Sequence, residues 1–239
     1  PIARSLQPAL PEGSGEPVKG FRAGEAYLWA RWYLYEQIYL HKTTRGAEKL
    51  FGDLMTRLVD ALVRKQPTGL EAHHPLYRFL ESDEPRLERY LALDDVVISA
   101  TWPVLASARD IDATRADLAD RLLRRRLLRC FDAGVRGENE NDQLVRFKRQ
   151  LNRRLKEGGD ASTPWLEDSV QLTAYGVIEA YDRPSLRRVL VGRPDGRGFD
   201  DITRRSHMIR SDLKKDFYRV YVPQDEYEEV ERLWEEASR

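Results

Sequence analysis

The sequence predicts a mainly α-helical protein that carries a small α+β subdomain at its C-terminal end. One long stretch, 24–65, contains no internal proline. Its leucines recur at helical spacing, at Leu50, Leu54, Leu58 and Leu62. Strand-like runs of β-branched and aromatic residues occur late in the chain, at 187–191 and 217–222. Helices are therefore expected to form most of the chain, and strands only its C-terminal part.

The long helical stretch 24–65 contains two glycines, Gly46 and Gly52. Because glycine is a poor helix former, the pattern is compatible with one long helix or with two helices in series. Pro67 ends the stretch in either case.

Shorter helices are predicted at 72–81 and 86–107, and Pro103 should kink or divide the second of them. Asp94 and Asp95 have side chains that can bind a cation. Their position before an apolar run is more typical of a helix start, where aspartate accepts hydrogen bonds from free amides.

A further helix is predicted over 114–132, with Asp112 or Thr114 as its cap. A polar break at 134–142 follows. After this break, 143–156 has the pattern of a basic helix.

The C-terminal part combines strands and helices. Between the two strand-like runs, 202–215 is predicted to be helical, and 224–237 has the pattern of an acidic amphipathic helix. The chain is therefore divided into an irregular N-terminal segment at 1–20, a helical body at 21–160 and a small α+β subdomain at 165–239.

Composition limits the classes of function. The 40 basic and 40 acidic residues cancel, so the whole chain has no net attraction to nucleic acid or to anionic membranes. The apolar runs are far shorter than the roughly 20 residues of a membrane span, and the N-terminus lacks the pattern of a secretory signal. The single cysteine, Cys130, excludes an internal disulfide and a cysteine-rich zinc site. We expect a soluble, cytoplasmic protein with no membrane partner.

The most informative local pattern is a helix face on which cations and phenols alternate. Arg31, Tyr35, Tyr39 and Lys42 fall within an arc of roughly 80° at 100° per residue. Arginine and lysine neutralise phosphates, and tyrosine rings pack on a sugar or base, so the face suits a nucleoside phosphate. The alternative is an aromatic core helix with two cations whose aliphatic stems cover apolar surface.

This face belongs to a longer run, ARWYLYEQIYLHKTTR from Ala30 to Arg45. It resembles the ARxxMYxxVYxHKTTR motif of the HD-superfamily phosphohydrolases, the bacterial relatives of the deoxynucleoside triphosphate triphosphohydrolases. Later stretches are similar to the same family in the same order. They are YLALDD at 90–95, the helix at 122–131, and the runs at 201–206 and 217–223.

The resemblance implies roles for individual residues. Arg31 would contact substrate phosphate, and Tyr35 and Tyr39 would line the nucleotide pocket, although Tyr35 stands where some relatives have histidine. Lys42 matches a lysine that in allosteric relatives reaches an effector nucleotide between subunits. Arg125 lies near a position with a similar role. The resemblance also implies a homo-oligomer.

The family takes its name from four metal ligands, His…His-Asp…Asp, in its N-terminal half. No His-Asp dipeptide occurs in these 239 residues, so the chain resembles the C-terminal half only and is expected to bind no metal itself. A divalent cation such as Mg²⁺ or Mn²⁺ is expected in the missing half, which is either part of the same polypeptide or a partner chain. The assembled enzyme would hydrolyse a (deoxy)nucleoside triphosphate to nucleoside and triphosphate.

Two alternatives belong to other classes of function. The first is a non-catalytic regulatory subunit that binds a nucleotide or a single-stranded nucleic acid. The segment 121–156, with a net charge of +8, provides cations for this role, and strong salt dependence of binding would favour it. The second is a structural partner chain whose helices serve oligomerisation.

Overall fold

The computed structural model describes residues 19–82, 84, 86–134, 138–157, 165–173, 189–193, 198–209 and 214–238. Over these ranges helices predominate and the strands form small antiparallel sheets. The expectation of a mainly α-helical protein with a small sheet is confirmed. No helix in the described ranges is both long and apolar enough to cross a bilayer.

The described ranges contain helices and strands, each numbered in chain order, and short turns. The helices are α1 (Lys19–Leu34), α2 (Lys42–Val63), α3 (Pro75–Leu80), α4 (Leu87–Leu91), α5 (Asp95–Ser107), α6 (Ala113–Arg124), α7 (Glu138–Glu157) and α8 (Tyr227–Ala237). The strands are β1 (Arg129–Asp132), β2 (Leu166–Thr173), β3 (Leu190–Gly192), β4 (Phe199–Asp201) and β5 (Lys214–Val222). The short turns are a π-helical turn at Tyr35–Tyr39 and 3₁₀ turns at Ile202–Arg204 and Gln224–Glu226.

The long helical stretch is interrupted after the π-helical turn, and both glycines lie inside α2. α1 begins at Lys19, earlier than predicted, and runs directly into the turn. The Leu40 amide donates to the Tyr35 carbonyl at 2.7 Å, which is the five-residue spacing of a π-helix. α2 then begins at Lys42. Two helices in series are therefore present, but the wider turn separates them.

The two glycines of α2 meet different surroundings. A Cβ atom added to Gly46 would lie 2.9 Å from the ring of Tyr221, whereas nothing lies within 4 Å of one added to Gly52. We expect Gly46→Ala to lower the free energy of unfolding by about 1–3 kcal/mol, because the buried ring must shift. We expect Gly52→Ala to raise it by up to about 1 kcal/mol, because alanine favours the helix. Urea denaturation measures both, and equal effects of the two substitutions would contradict this difference.

The helix predicted over 86–107 is divided at residues 92–94, before Pro103 is reached. The side chain of Asp94 accepts a hydrogen bond from the Val97 amide at 2.7 Å and caps α5. This confirms the helix start. Pro103 lies inside α5, which continues to Ser107.

The helix predicted over 114–132 is wrong in its second half. Asp112 caps α6 as expected, accepting from the Arg115 amide at 2.9 Å. Arg125 has a left-handed backbone with φ of 55°, which ends the helix. The chain then forms β1, which pairs antiparallel with β5 from Arg129 opposite Val222 to Asp132 opposite Arg219. Pairing with a distant strand thus overrides the local helical pattern.

The larger sheet has the strand order β1-β5-β2, and β3 and β4 pair separately. The sequence pattern did not predict β2. The helix predicted over 202–215 is also wrong, because only 202–204 form a 3₁₀ turn and β5 begins at Lys214. Residues 210–213 lie outside the described residues. The helix predicted over 224–237 is confirmed as a 3₁₀ turn followed by α8.

The chain divides into two compact units, each built from two segments. The first unit comprises Pro1–His41 and Val170–Asp216, and the second comprises Lys42–Ser169 and Phe217–Arg239. The division predicted from sequence at 1–20, 21–160 and 165–239 stays a prediction, and its residues 1–18 and 158–164 lie outside the described ones.

Each unit has its own apolar core. In the first unit, α1 packs against β3 and the 3₁₀ turn through Phe21, Leu28, Val191 and Ile202. In the second unit, one core contains the leucines of α2 together with leucines of α5 and α6. A second, aromatic core joins α7, α8 and the sheet through Phe147, Trp234 and Tyr218.

Candidate functional site

Arg31, Tyr35 and Tyr39 form a stack on the surface of the first unit. The Arg31 guanidinium carbon lies 5.2 Å from the centroid of the Tyr35 ring, and the Tyr35 and Tyr39 centroids are 5.0 Å apart. Both tyrosines are exposed, at 38% and 52%, whereas Trp32 faces the core. The structure therefore brings the three predicted residues together on a solvent-facing surface. Their role toward a substrate stays a prediction.

The two tyrosines of this stack lie in the π-helical turn. Hydrogen bonds to the fifth residue make a wider turn than an α-helix has. Tyr35 and Tyr39 are the first and last residues of the turn. Turns of this kind inside helices are frequent at functional sites. The amino-acid pattern alone contains no signal for the wider turn.

A small cavity opens beside the stack, within the first unit. It has a volume of about 230 Å³ and is lined on the helical side by Arg31, Trp32, Tyr35 and Leu40. Its opposite wall is the strand segment 170–173 of β2. Pockets for drug-sized ligands have volumes of roughly 300–1,000 Å³, so this cavity has room only for a smaller group, of about the size of one ring system.

The carboxylate next to the stack is neutralised. Glu36 forms an ion pair with Lys215, and Gln171 donates to Asp216 at 2.8 Å on the neighbouring strand. Because the Glu36 charge is paired, it opposes an anion near Arg31 less than a free carboxylate would.

Lys42 and Arg125, the other two predicted residues, lie in the second unit. Lys42 is the exposed first residue of α2, and its charge acts on the Cys130 thiol. Burial raises the pKa of Cys130, and the nearby cations Arg219 and Lys42 oppose this increase. Within the described ranges Lys42 forms no ion pair with a carboxylate.

Arg125 differs from its neighbours in the arginine tract. The other arginines pair with two aspartates of α6, namely Arg121 with Asp117, and Arg124 and Arg126 with Asp120. Arg124 and Arg126 hold the pKa of Asp120 below its usual value by hydrogen bonding. Arg125 makes no ion pair with any residue that the structure describes. Its left-handed backbone lies at the point where α6 ends.

Sequence reasoning missed a buried ion-pair network at the end of the Ala30–Arg45 motif. Arg45 donates to both carboxylate oxygens of Asp168, at 2.9 and 2.6 Å, and Lys49 lies 3.2 Å from the same carboxylate. Burial alone would raise the pKa of Asp168, but the hydrogen bonds and charges of these two cations outweigh it and lower the pKa. The available signal was Asp168 itself, a charged residue at an inward position of a segment in which buried and exposed residues alternate.

One histidine of the second unit, His74, has a structural role. His74 Nδ1 accepts from the Leu76 amide at 3.2 Å and caps α3. Among the described residues, no group of three or more His, Cys, Asp or Glu side chains could hold a metal ion.

The chain is thus a mainly helical protein that carries an exposed arginine–tyrosine stack on its first unit. No family model matches the chain. The chain is 24% identical over 211 residues to the uncharacterised protein YwfO of Bacillus subtilis strain 168. This match includes 86% of the present chain and 46% of YwfO.

Two solved structures share the fold. A phosphohydrolase from Bacteroides thetaiotaomicron superposes with a TM-score of 0.58 at 22% identity, over 89% of this chain and 53% of that one. A hypothetical protein from Aquifex aeolicus gives a TM-score of 0.58 at 17% identity, over 92% and 48% of the two chains. The chain spans about half the length of these relatives. Over that half it shares the fold of these two solved structures.

Proposed function

We propose that this chain is the phosphate- and nucleoside-binding part of a metal-dependent phosphohydrolase of the HD type. The complete protein cleaves (deoxy)nucleoside triphosphates to nucleoside and triphosphate. The observation that carries the proposal is the exposed arginine, Arg31, stacked on Tyr35 beside a cavity sized for one ring system. The likeness to half of a phosphohydrolase structure supports it.

The residues of this chain bind and orient the substrate. The planar guanidinium of Arg31 is held against the Tyr35 ring and presents its N–H donors to two phosphate oxygens at once. The Tyr35 and Tyr39 rings pack against the sugar or base, and their hydroxyls remain available to donate. Positioning and charge neutralisation of this kind are most of what phosphoryl transfer requires from a protein.

The metal belongs elsewhere in this proposal, because the described residues offer no set of ligands for it. A His/His-Asp/Asp half, in the same polypeptide or in a partner chain, holds the Mg²⁺ or Mn²⁺. Lys42 and Arg125, both exposed, are proposed to contact the phosphates of an effector nucleotide in a homo-oligomer.

The test is hydrolysis by the complete protein. Its composition is fixed first by the intact mass of the purified material and of any co-purifying chain. With Mg²⁺ or Mn²⁺ added, a deoxynucleoside triphosphate should release tripolyphosphate and nucleoside, which ion-exchange chromatography separates from orthophosphate. Release of orthophosphate alone would contradict the proposed bond cleavage.

Many cations of the basic segment 121–156 contact other groups of the same chain. Arg146 donates to the Ala237 carbonyl at 2.7 Å, Arg154 pairs with Glu229 at 2.7 Å, and Lys148 lies 4.2 Å from the Tyr218 ring. These contacts argue against the alternative of a nucleic-acid-binding regulatory subunit.

We therefore expect the affinity for a single-stranded oligonucleotide to depend only weakly on salt. Each phosphate contact adds a slope of about −0.7 to the plot of log K against log salt. Fluorescence anisotropy at several salt concentrations measures this slope. A slope of about −4 or steeper would favour the alternative, because it corresponds to roughly six phosphate contacts.

A further inference from the structure

One wall of the small cavity beside the stack consists of consecutive residues of β2. Val170, Gln171, Leu172 and Thr173 all line it. Successive side chains of a strand point to opposite faces, so neither face of β2 can present all four residues to one cavity. Four consecutive lining residues therefore indicate a cavity along the lateral edge of β2, where the backbone of successive residues is accessible.

This edge is the outer one among the described strands. The order β1-β5-β2 gives β2 a single neighbour, β5. The hydrogen bond from Gln171 to Asp216 lies on the side of that neighbour. On an outer edge, alternate residues direct an N–H donor and a C=O acceptor outward, side by side.

The opposite wall supplies the complementary chemistry. Tyr35 provides a ring, Arg31 provides a cation, and the buried residue Trp32 also lines the cavity. A ligand that fills this space presents a hydrogen-bonding edge to β2, a flat apolar face to the tyrosine and an anion to the guanidinium. A nucleotide combines these three features.

We propose that the outer edge of β2 at 170–173 binds the hydrogen-bonding edge of the nucleobase while Arg31 binds the phosphates. This rests on the proposed function and extends it to the base. Each of the common bases carries a donor next to an acceptor on its pairing edge, which complements a backbone N–H and C=O pair. The site therefore requires a base but accepts more than one. An extended peptide is the other ligand that a strand edge can bind.

Analogues that keep the triphosphate constant test the base contact directly. The full chain, without added metal, is titrated with dTTP, N3-methyl-dTTP, 5-bromo-dUTP and an abasic deoxyribose triphosphate, with tryptophan fluorescence as the readout. Trp32→Phe identifies the signal from the cavity. We expect N3-methylation to weaken binding on the order of tenfold, because it blocks the donor and leaves backbone groups unpaired. Substitution at C5, away from that edge, should leave the affinity unchanged.

The outcomes separate this inference from the proposed function. If N3-methyl-dTTP or the abasic compound binds as tightly as dTTP, the base contact is overturned and phosphate binding stands. If Arg31→Ala binds tripolyphosphate as tightly as the wild-type chain does, and also binds dTTP as tightly as the wild-type chain does, the proposed function fails. Binding of an unstructured peptide in place of dTTP would also overturn the inference.

A matched pair of variants tests the strand edge from the protein side. Neighbouring strand residues direct their N–H groups to opposite edges, so Val170→Pro and Gln171→Pro remove one donor toward β5 and one toward the cavity. We expect the variant that loses its donor toward β5 to lose thermal stability. The variant that loses its donor toward the cavity should keep its Tm, and it should bind dTTP as weakly as the wild type binds N3-methyl-dTTP. Unchanged dTTP affinity in the stable variant would overturn the inference. If both variants unfold, the titration with dTTP and its analogues decides by itself whether the base contact exists.

Discussion

Replacing Arg31 by alanine is expected to weaken the binding of a nucleoside triphosphate by roughly 10- to 100-fold, because hydrogen bonds to a charged group contribute about 1.5–3 kcal/mol. The side chain is exposed and stacks on Tyr35, so its removal leaves the core intact. In the complete enzyme the loss in kcat should reach about 10²- to 10³-fold if the guanidinium also stabilises the transition state. Isothermal titration calorimetry and a tripolyphosphate-release assay measure the two effects.

Arg22→Ala is the matched control for this experiment. Arg22 is an exposed arginine of the same helix that does not line the cavity, so its removal should change neither binding nor turnover. Arg31→Lys keeps the charge and loses the planar fork, so it should give an intermediate affinity. Equal affinities of Arg22→Ala and Arg31→Ala would remove Arg31 from the site.

The largest loss of stability is expected from Asp168→Asn. The Asp168 side chain is 2% exposed and is held by Arg45 and Lys49. Removing one partner of a buried ion pair typically costs about 3–5 kcal/mol, because the remaining charge stays unpaired. Arg45 and Lys49 retain 21% and 34% exposure, which moderates the penalty, so we expect a loss of about 2–4 kcal/mol. Urea denaturation followed by circular dichroism measures it.

Glu48→Gln provides the control for the same arginine. Glu48 pairs with Arg45 at 2.6 Å but is 53% exposed, so its loss should cost less than about 1 kcal/mol. If Asp168→Asn and Glu48→Gln have the same free energy of unfolding, the buried Arg45–Asp168 pair contributes no more to stability than the exposed Arg45–Glu48 pair.

The pH dependence of stability follows from the same network. The pKa of Asp168 is lowered in the folded protein, so its ion pairs stabilise the fold above the pKa of the unfolded chain, about 3.9. This contribution is lost as the pH falls from that value through the lower pKa of the folded state. The stability of Asp168→Asn should therefore fall less between pH 5 and 2 than that of the wild type. Parallel curves would contradict the assignment.

The sequence identified the surface stack but not the reason for its geometry. Helical spacing alone placed Arg31, Tyr35, Tyr39 and Lys42 on one face, but in the structure Lys42 begins α2 in the second unit. The π-helical turn, the cavity and the edge of β2 depend on hydrogen bonds and on residues more than a hundred positions away, which periodicity does not contain. In the same way, nothing in the spacing of the arginine tract singled out Arg125, which differs from its neighbours through the aspartates that they contact.

The sequence by itself determined the helical character of the chain, the cap at Asp94, the choice between Asp112 and Thr114 as the cap of α6, and the clustering of Arg31, Tyr35 and Tyr39. These features depend on contacts between residues a few positions apart, so local spacing is sufficient to specify them. Only the tertiary structure decided that 129–132 and 214–215 are strands and that Asp168 pairs with Arg45. A strand is stabilised by backbone hydrogen bonds to a distant partner, and a buried carboxylate by a distant cation. Such pairings are settled only when the chain has folded.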